Sequence, residues 1–488
     1  MLKTFLKAAA LAVVALVVVG VGLYLFGMRV VLDGAGTPRL VFVESTDARA
    51  DLIAKHREGQ QAGAPAPAAP SPPSAPSPAD AGAATVPIDP AQPVRLPSPV
   101  ATTGRYWANF RGPDRSGHYR ELAVRTDWPS GGLTPLWKQP AGAGYASFVI
   151  ADGHAFTIEQ RASQEVVAAY DVLTGRELWT NASNAVFREM MGGDGPRATP
   201  TWHEGRVYAL GGAGELRALD AATGTLLWRT NILTDAGASN LQWGMAAAPL
   251  IVDGAVVTLP GGPNGNSVVA YDHATGKRVW SALDDTASYA SPMLVTLGGV
   301  RQILVFSASR LVSLDAASRA VLWEFPWTTQ YGVNASQPLL LGNDRVFLST
   351  GYGTGAAAIQ LTKVGDRFTV QELWRTNRMK NQFTSSVLHE GYIYGLDESI
   401  LVCLDAATGA HIWKNGRYGY GQVMLANGHL VILTESGELA LVRASPDGYV
   451  ELARFPVLDG KTWNHPAMSG GYLLIRNINE MAAFDLRR

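Results

Sequence analysis

The stretch Ala218–Trp228 reads ALDAATGTLLW, and it returns along the chain as AYDVLTGRELW (Ala169–Trp179), AYDHATGKRVW (Ala270–Trp280) and CLDAATGAHIW (Cys403–Trp413). SLDAASRAVLW (Ser313–Trp323) is a degenerate copy. Recurrence at a spacing of roughly forty to fifty residues is the mark of a repeat architecture. Within one copy the Asp carboxylate is placed to accept backbone N–H groups two and three residues on, Thr adds its hydroxyl, and Gly supplies a positive φ. The unit is therefore strand, tight turn, strand, with a Trp at the end to pack between neighbouring units. A second hairpin signal precedes most copies: Asp152-Gly153, Glu204-Gly205, Asp253-Gly254, Glu390-Gly391 and Asn427-Gly428, each flanked by apolar runs. Two hairpins per period make the four strands of a propeller blade.

Asp171, Asp220, Asp272, Asp315 and Asp405 mark five such turns, and Ile359–Trp374 and Leu441–Phe455 fill the gaps with longer turns. The end of the sequence, Ala482-Ala-Phe-Asp485, supplies a third strand without a fourth, while Pro135–Pro140 offers a fourth strand without a blade. Joining them gives an all-β, eight-bladed β-propeller of four-stranded blades, closed by N- and C-terminal strands so that no open edge is left.

The chain has 488 residues, 47% hydrophobic, with a net charge of −1. That balance carries no electrostatic footprint for nucleic acid. Residues 1–28 read as a cytoplasmic tip and a transmembrane signal-anchor: Ala8–Phe26 is uncharged, and as a helix it rises about 28 Å, enough for the hydrocarbon core. Lys3 and Lys7 ahead of it orient the bulk of the chain outward, whether or not the segment is cleaved. Residues 29–61 read as a solvated juxtamembrane spacer with room for a short helix at Asp47–Glu58, and 62–100 as a Pro/Ala-rich linker of extended polyproline type. Residues 101–134 form the entry to the propeller, which occupies 135–488. These features predict a single-pass protein of a bacterial inner membrane with its propeller in the periplasm.

The most distinctive stretch outside the repeat is YWANFRGPDRSGHY (Tyr106–Tyr119). Trp107, Phe110, Arg111, Gly112, Pro113 and Gly117 are read as structural, a cap packed on the propeller just before the closing strand. With this motif in view, the AxDxxTGxxxW unit resembles the repeat of the pyrroloquinoline-quinone (PQQ)-like propeller family. The resemblance covers Trp107 to the C-terminus and implies the fold. The family includes quinoprotein dehydrogenases, which hold PQQ with Ca²⁺ over the propeller axis, and the outer-membrane barrel-assembly lipoprotein, which binds no cofactor. Many of the dehydrogenases use a disulfide between adjacent Cys residues. This chain has the single Cys403, expected as a buried small hydrophobe. The sequence also holds no DxDxDG, HExxH, GxSxG or GxxxxGK[ST] motif. The resemblance is thus closer to the assembly lipoprotein, and no catalytic residue, cofactor or metal is assigned.

Aligning the innermost strands on Phe148, Pro200, Pro249, Pro292, Pro338, Ser386, Val423 and Pro466 gives a sharper expectation. Two residues earlier the side chain is small in every blade but the last, which has Asn464. Three residues earlier stand Tyr145, Arg197, Ala246, Tyr289, Ala335, Phe383, Tyr420 and Trp463. The six large ones, Tyr145, Arg197, Tyr289, Phe383, Tyr420 and Trp463, are expected as a ring at the entrance of the central channel. Such a ring plugs the funnel, meets a protein partner, or stacks a flat ligand. The function that follows is a membrane-tethered, non-catalytic scaffold for envelope proteins, with outer-membrane protein assembly as its setting. The alternatives are a PQQ-dependent dehydrogenase using Ca²⁺ and a cell-wall or polysaccharide-binding module.

Overall fold

The structure, a computed structural model, describes residues 18–23, 27–42, 44–62, 107–129 and 131–488, the last two residues of 44–62 by backbone alone. Eight sheets follow one another around a ring, each built on four antiparallel strands: residues 149–183, 201–231, 250–282, 293–326, 339–376, 387–417, 422–456 and 467–485, the seventh extended by His118–Tyr119, which pairs in parallel with its innermost strand. They are blades 1 to 8 below. Blade 8 takes its outer strand from Trp137–Pro140, which pairs with Glu480–Ala483. The expected closure is therefore present.

Middle strands of the blades are buried on both faces, which is why they read as near-continuous apolar runs, such as Val166–Tyr170. Neighbouring blades share their cores: Val149, Phe156, Ile158 and Val167 of blade 1 interleave with Val207, Ala209 and Leu219 of blade 2. Cys403 lies fully buried in such a layer as a free thiol.

The repeated turn works as its residues predict. Asp220 Oδ1 accepts from the Ala222 and Thr223 N–H groups at 3.1 and 2.9 Å and from the Thr223 hydroxyl at 2.9 Å. Its Gly has a second role that links blades. Trp228 of blade 2 donates its indole N–H to the His273 carbonyl in the turn of blade 3, and its ring lies on Gly276 of that turn. Trp137 on Gly175, Trp179 on Gly224 and Trp374 on Gly409 repeat the arrangement. In the degenerate copy Arg319 replaces the Gly, keeps the left-handed backbone at φ 66°, and lays its guanidinium over Trp280 at 5.7 Å.

Two expectations need correction. First, residues 29–61 are not a solvated spacer. Strands β1 (Met28–Leu32) and β2 (Pro38–Phe42) form a hairpin, and helix α1 (Thr46–Ala62) docks on the ring where blades 8 and 1 meet. Ile53 and Arg57 are buried there, and Arg57 donates to Gln139 Oε1 at 2.8 Å and the Pro140 carbonyl at 3.2 Å. Second, blade 5 has no long turn. Its outer strands, Gly355–Val364 and Arg367–Thr376, are each ten residues long around a two-residue turn. The entry motif packs on the propeller, where it fills the axis as described below. Among the described residues no helix is long and apolar enough to cross a membrane. The expected span 8–26 is described only at 18–23, so most of it lies outside the described residues, as does the expected linker beyond Ala62.

Candidate functional site

Because every blade is antiparallel, the residues that enter the innermost strands gather at one face of the ring, with the loops joining second to third strands. The Asp-x-x-Thr-Gly turns gather at the other face. The first face opens on a cavity of about 620 Å³. All eight aligned positions line it: Tyr145, Arg197, Ala246, Tyr289, Ala335, Phe383, Tyr420 and Trp463.

The wall is continuous from blade 6 to blade 2. Phe383 meets Trp463 with ring centroids 4.4 Å apart and Tyr420 at 5.6 Å. Trp463 meets Tyr145 at 5.1 Å, and the Arg197 guanidinium sits 5.6 Å from the Tyr145 ring. Ala246 and Ala335 leave the wall low at blades 3 and 5, where Trp243 and Tyr289 pair at 5.8 Å and Tyr331 stands exposed on the rim.

The floor is built by the entry motif. Trp107 and Phe110 pack on His465 at 6.5 and 5.8 Å. Arg111 donates to the Ser386 carbonyl of blade 6 at 2.9 Å, and Arg115 donates to the Pro292 carbonyl at 2.7 Å and the Ala248 carbonyl at 3.2 Å, at blades 4 and 3. Trp107, Ala108 and Gly117 carbonyls accept from Ile150, Trp202 and Leu425 of blades 1, 2 and 7. Seven of the eight blades thus bond or pack to one segment. Both Arg residues take positive φ, and a side chain at Gly117, itself at φ 73°, would overlap the Arg111 guanidinium. Gly112, also at positive φ, lies against the Trp107 ring. Burial pulls both guanidinium pKa values down, to about 9, at Arg111 against the raising effect of Asp114. Burial likewise holds His465 neutral, its pKa about 3.

Four functional candidates at the mouth escaped the sequence reading. Lys461 Nζ sits 4.1 Å over Trp463 and donates to the Gly192 carbonyl at 2.8 Å. Glu435 accepts from the Trp463 indole at 2.9 Å and the Tyr420 N–H at 3.2 Å. Gln382 and the Asp33–Gly36 tip of the β1–β2 hairpin also line the cavity. Lys461 and Glu435 lie on loops with no repeat signature, so only their approach in space reveals them. At the tip, Gly34 N–H donates to Glu435 Oε1 at 2.7 Å, and its carbonyl accepts from Gln382 Nε2 at 3.1 Å. Two such bonds contribute about 1 kcal/mol each.

Burial lowers the Lys461 pKa to about 8, against the raising effect of Glu435. Between there and the ordinary value of 10.5 the unfolded chain keeps a proton that the folded chain has shed, so folding gains as pH rises through that window. Over the same step the mouth loses one positive charge. Tryptophan fluorescence should therefore change with a midpoint near pH 8, and Lys461→Met should flatten that transition.

The donors at the mouth do not suit a Ca²⁺–PQQ pair. Glu435 spends its oxygens on three N–H groups, Arg197 lines the cavity, and Lys461 adds a second cation over the Trp463 ring of its wall. Among the described residues, the one place where three His, Cys or carboxylate ligand atoms converge within 4.8 Å is His203, Glu204 and His273. It lies on the opposite face, and the charge of Arg206 nearby opposes a cation there.

The profile of the family described as outer membrane protein assembly factor BamB matches residues 162–415. The outer membrane protein assembly factor BamB of Bordetella pertussis is 21% identical over 368 residues, covering 72% of this chain and 81% of that protein. Among solved structures, BamB from Moraxella catarrhalis aligns with a TM-score of 0.51 at 14% identity, over 72% of this chain and 97% of that one. The quinohemoprotein alcohol dehydrogenase from Comamonas testosteroni aligns with a TM-score of 0.56 at 13% identity, over 78% and 80%. At these identities the structural likeness speaks for the fold alone, which assembly factor and dehydrogenase share. The profile spans over half of the sequence with its repeated turns. The chain belongs to the family of the outer membrane protein assembly factor BamB.

Proposed function

We propose that this protein is a non-catalytic interaction scaffold of the bacterial envelope that assists outer-membrane protein assembly, with the channel mouth as its contact surface. The observation that carries the reading is the composition of the mouth. A half-ring of aromatic side chains with Arg197 and Lys461 stands over a closed floor, the residue types that dominate protein-binding hot spots. Family membership supplies the setting. Residues 8–26 would hold the propeller at the inner membrane, facing the periplasm. No cofactor is needed for this role.

A photo-cross-linking amino acid in place of Tyr331, on the exposed rim, tests the reading in intact envelopes. The expected adducts are components of outer-membrane protein assembly or their unfolded clients, and Trp463→Ala should weaken that association by tenfold or more. Fluorescence titration of the protein with PQQ covers the dehydrogenase alternative. Saturable quenching that requires Ca²⁺ would overturn the scaffold reading.

A further inference from the structure

The β1–β2 hairpin shows what the mouth recognises. Its strands pair from Met28 with Phe42 to Leu32 with Pro38, and Val30, Leu40 and Phe42 along them are exposed. Leu32 and the Asp33–Gly36 tip line the cavity at the most aromatic part of the wall. Asp33 shapes that tip, its Oδ1 accepting from the Ala35 and Thr37 N–H groups at 3.0 and 2.8 Å. This turns the Gly34 peptide groups outward. Glu435 reads the N–H, Gln382 reads the carbonyl, and the Tyr420 side chain occupies the place a Cβ would take. Any Cβ at position 34 would overlap its ring. The three contacts define a socket for an exposed main chain at a glycine, and they use no side chain of the guest.

We propose that the channel mouth is a receptor for the glycine-bearing turn of an antiparallel β-hairpin, filled in cis by Asp33–Gly36 and released to a partner's turn of the same chemistry. The proposal rests on the reading of the mouth as a protein-binding surface and names the class of partner. The cis guest is built to be displaceable. Its second strand, Pro38–Phe42, is exposed throughout while the first is half-buried, and a lone two-stranded hairpin is only marginally stable in water. A client that presents many hairpins, one after another, fits this socket through its backbone whatever its side chains.

The test uses the full chain in detergent. The probe is a fluorescent peptide with the sequence of residues 28–42, closed by a disulfide between cysteines added at its ends. A tethered tip competes at an effective concentration on the order of 1 mM, so the native chain should bind the probe weakly. Gly34→Val expels the tip without touching the propeller, and the probe should then bind at least about fiftyfold more tightly. Adding Glu435→Ala to the opened chain should reverse most of that gain. Equal affinity for native and Gly34→Val chains would overturn the proposal, as would undiminished binding of a probe carrying valine at its own turn glycine. A concentration-dependent dimer that Gly34→Val dissociates would overturn the intramolecular seating. If the probe fails while cross-links from position 331 persist, turn recognition falls and the scaffold reading stands.

Discussion

Arg115→Ala is expected to destabilise the propeller by about 3–5 kcal/mol, seen by calorimetry as a fall in melting temperature of about 6–10 °C. The side chain is 3% exposed and reaches carbonyls beside two blades. Truncation opens a cavity on the axis and strands the Ala248 and Pro292 carbonyls away from water. Arg115 also donates to the Pro249 carbonyl, which suffers less because the Thr201 hydroxyl donates to it too, at 2.6 Å. Removing a cation from the interior acts in the other direction and limits the loss. Arg115→Lys, which keeps the charge but not the fork, should fall between the two.

Gly276→Val is expected to cost about 3 kcal/mol, from two sources that add. A β-branched residue at φ 71° loses about 1–2 kcal/mol, and its Cβ would stand 2.6 Å from Trp228 Cδ2, an overpacking penalty of about 1–3 kcal/mol. The strain falls on the seam between blades 2 and 3. Arg319 provides the internal control, since it occupies the same turn position in the degenerate copy with a non-glycine residue. Arg319→Gly should stay within about 1 kcal/mol of the native chain, because relief of the left-handed strain offsets loss of the stacking on Trp280. Parallel denaturant titrations of the two variants give the comparison.

What could be read from the sequence is what repeats. The Asp, Thr and Gly of each turn act within five residues of one another, so a linear pattern contains the whole interaction, and the blade count followed. The eight positions around the cavity were legible for the same reason: one rotation of the ring is one period of the sequence. What the pattern could not carry is contact between non-equivalent parts. Arg111 and Arg115 bond to backbone carbonyls, which every residue has, so nothing in the partner sequence announces them. Gly34 likewise looks like any turn glycine until Tyr420 lies against it. Lys461 and Glu435 meet across blades 7 and 8 from loops outside the repeat. The ten-residue strands of blade 5 were misread because their exposed, charged faces carry no turn signature.

The pairing of Glu480 with Pro140 sets the order in which this molecule can come into being. Roughly 340 positions separate the two strands, and the Arg111 and Arg115 side chains of the axial segment need blades 3, 4 and 6 before their partner carbonyls are in place. A chain delivered N-terminus first must therefore keep Trp137–Pro140 waiting, with blade edges open, until its last strand arrives. Quality control is thereby written into the topology. A product cut short just before Glu480 has its other blades but no clasp, and it should be cleared by proteases as a nascent chain is, at a rate that drops abruptly once the strand Glu480–Asp485 is supplied.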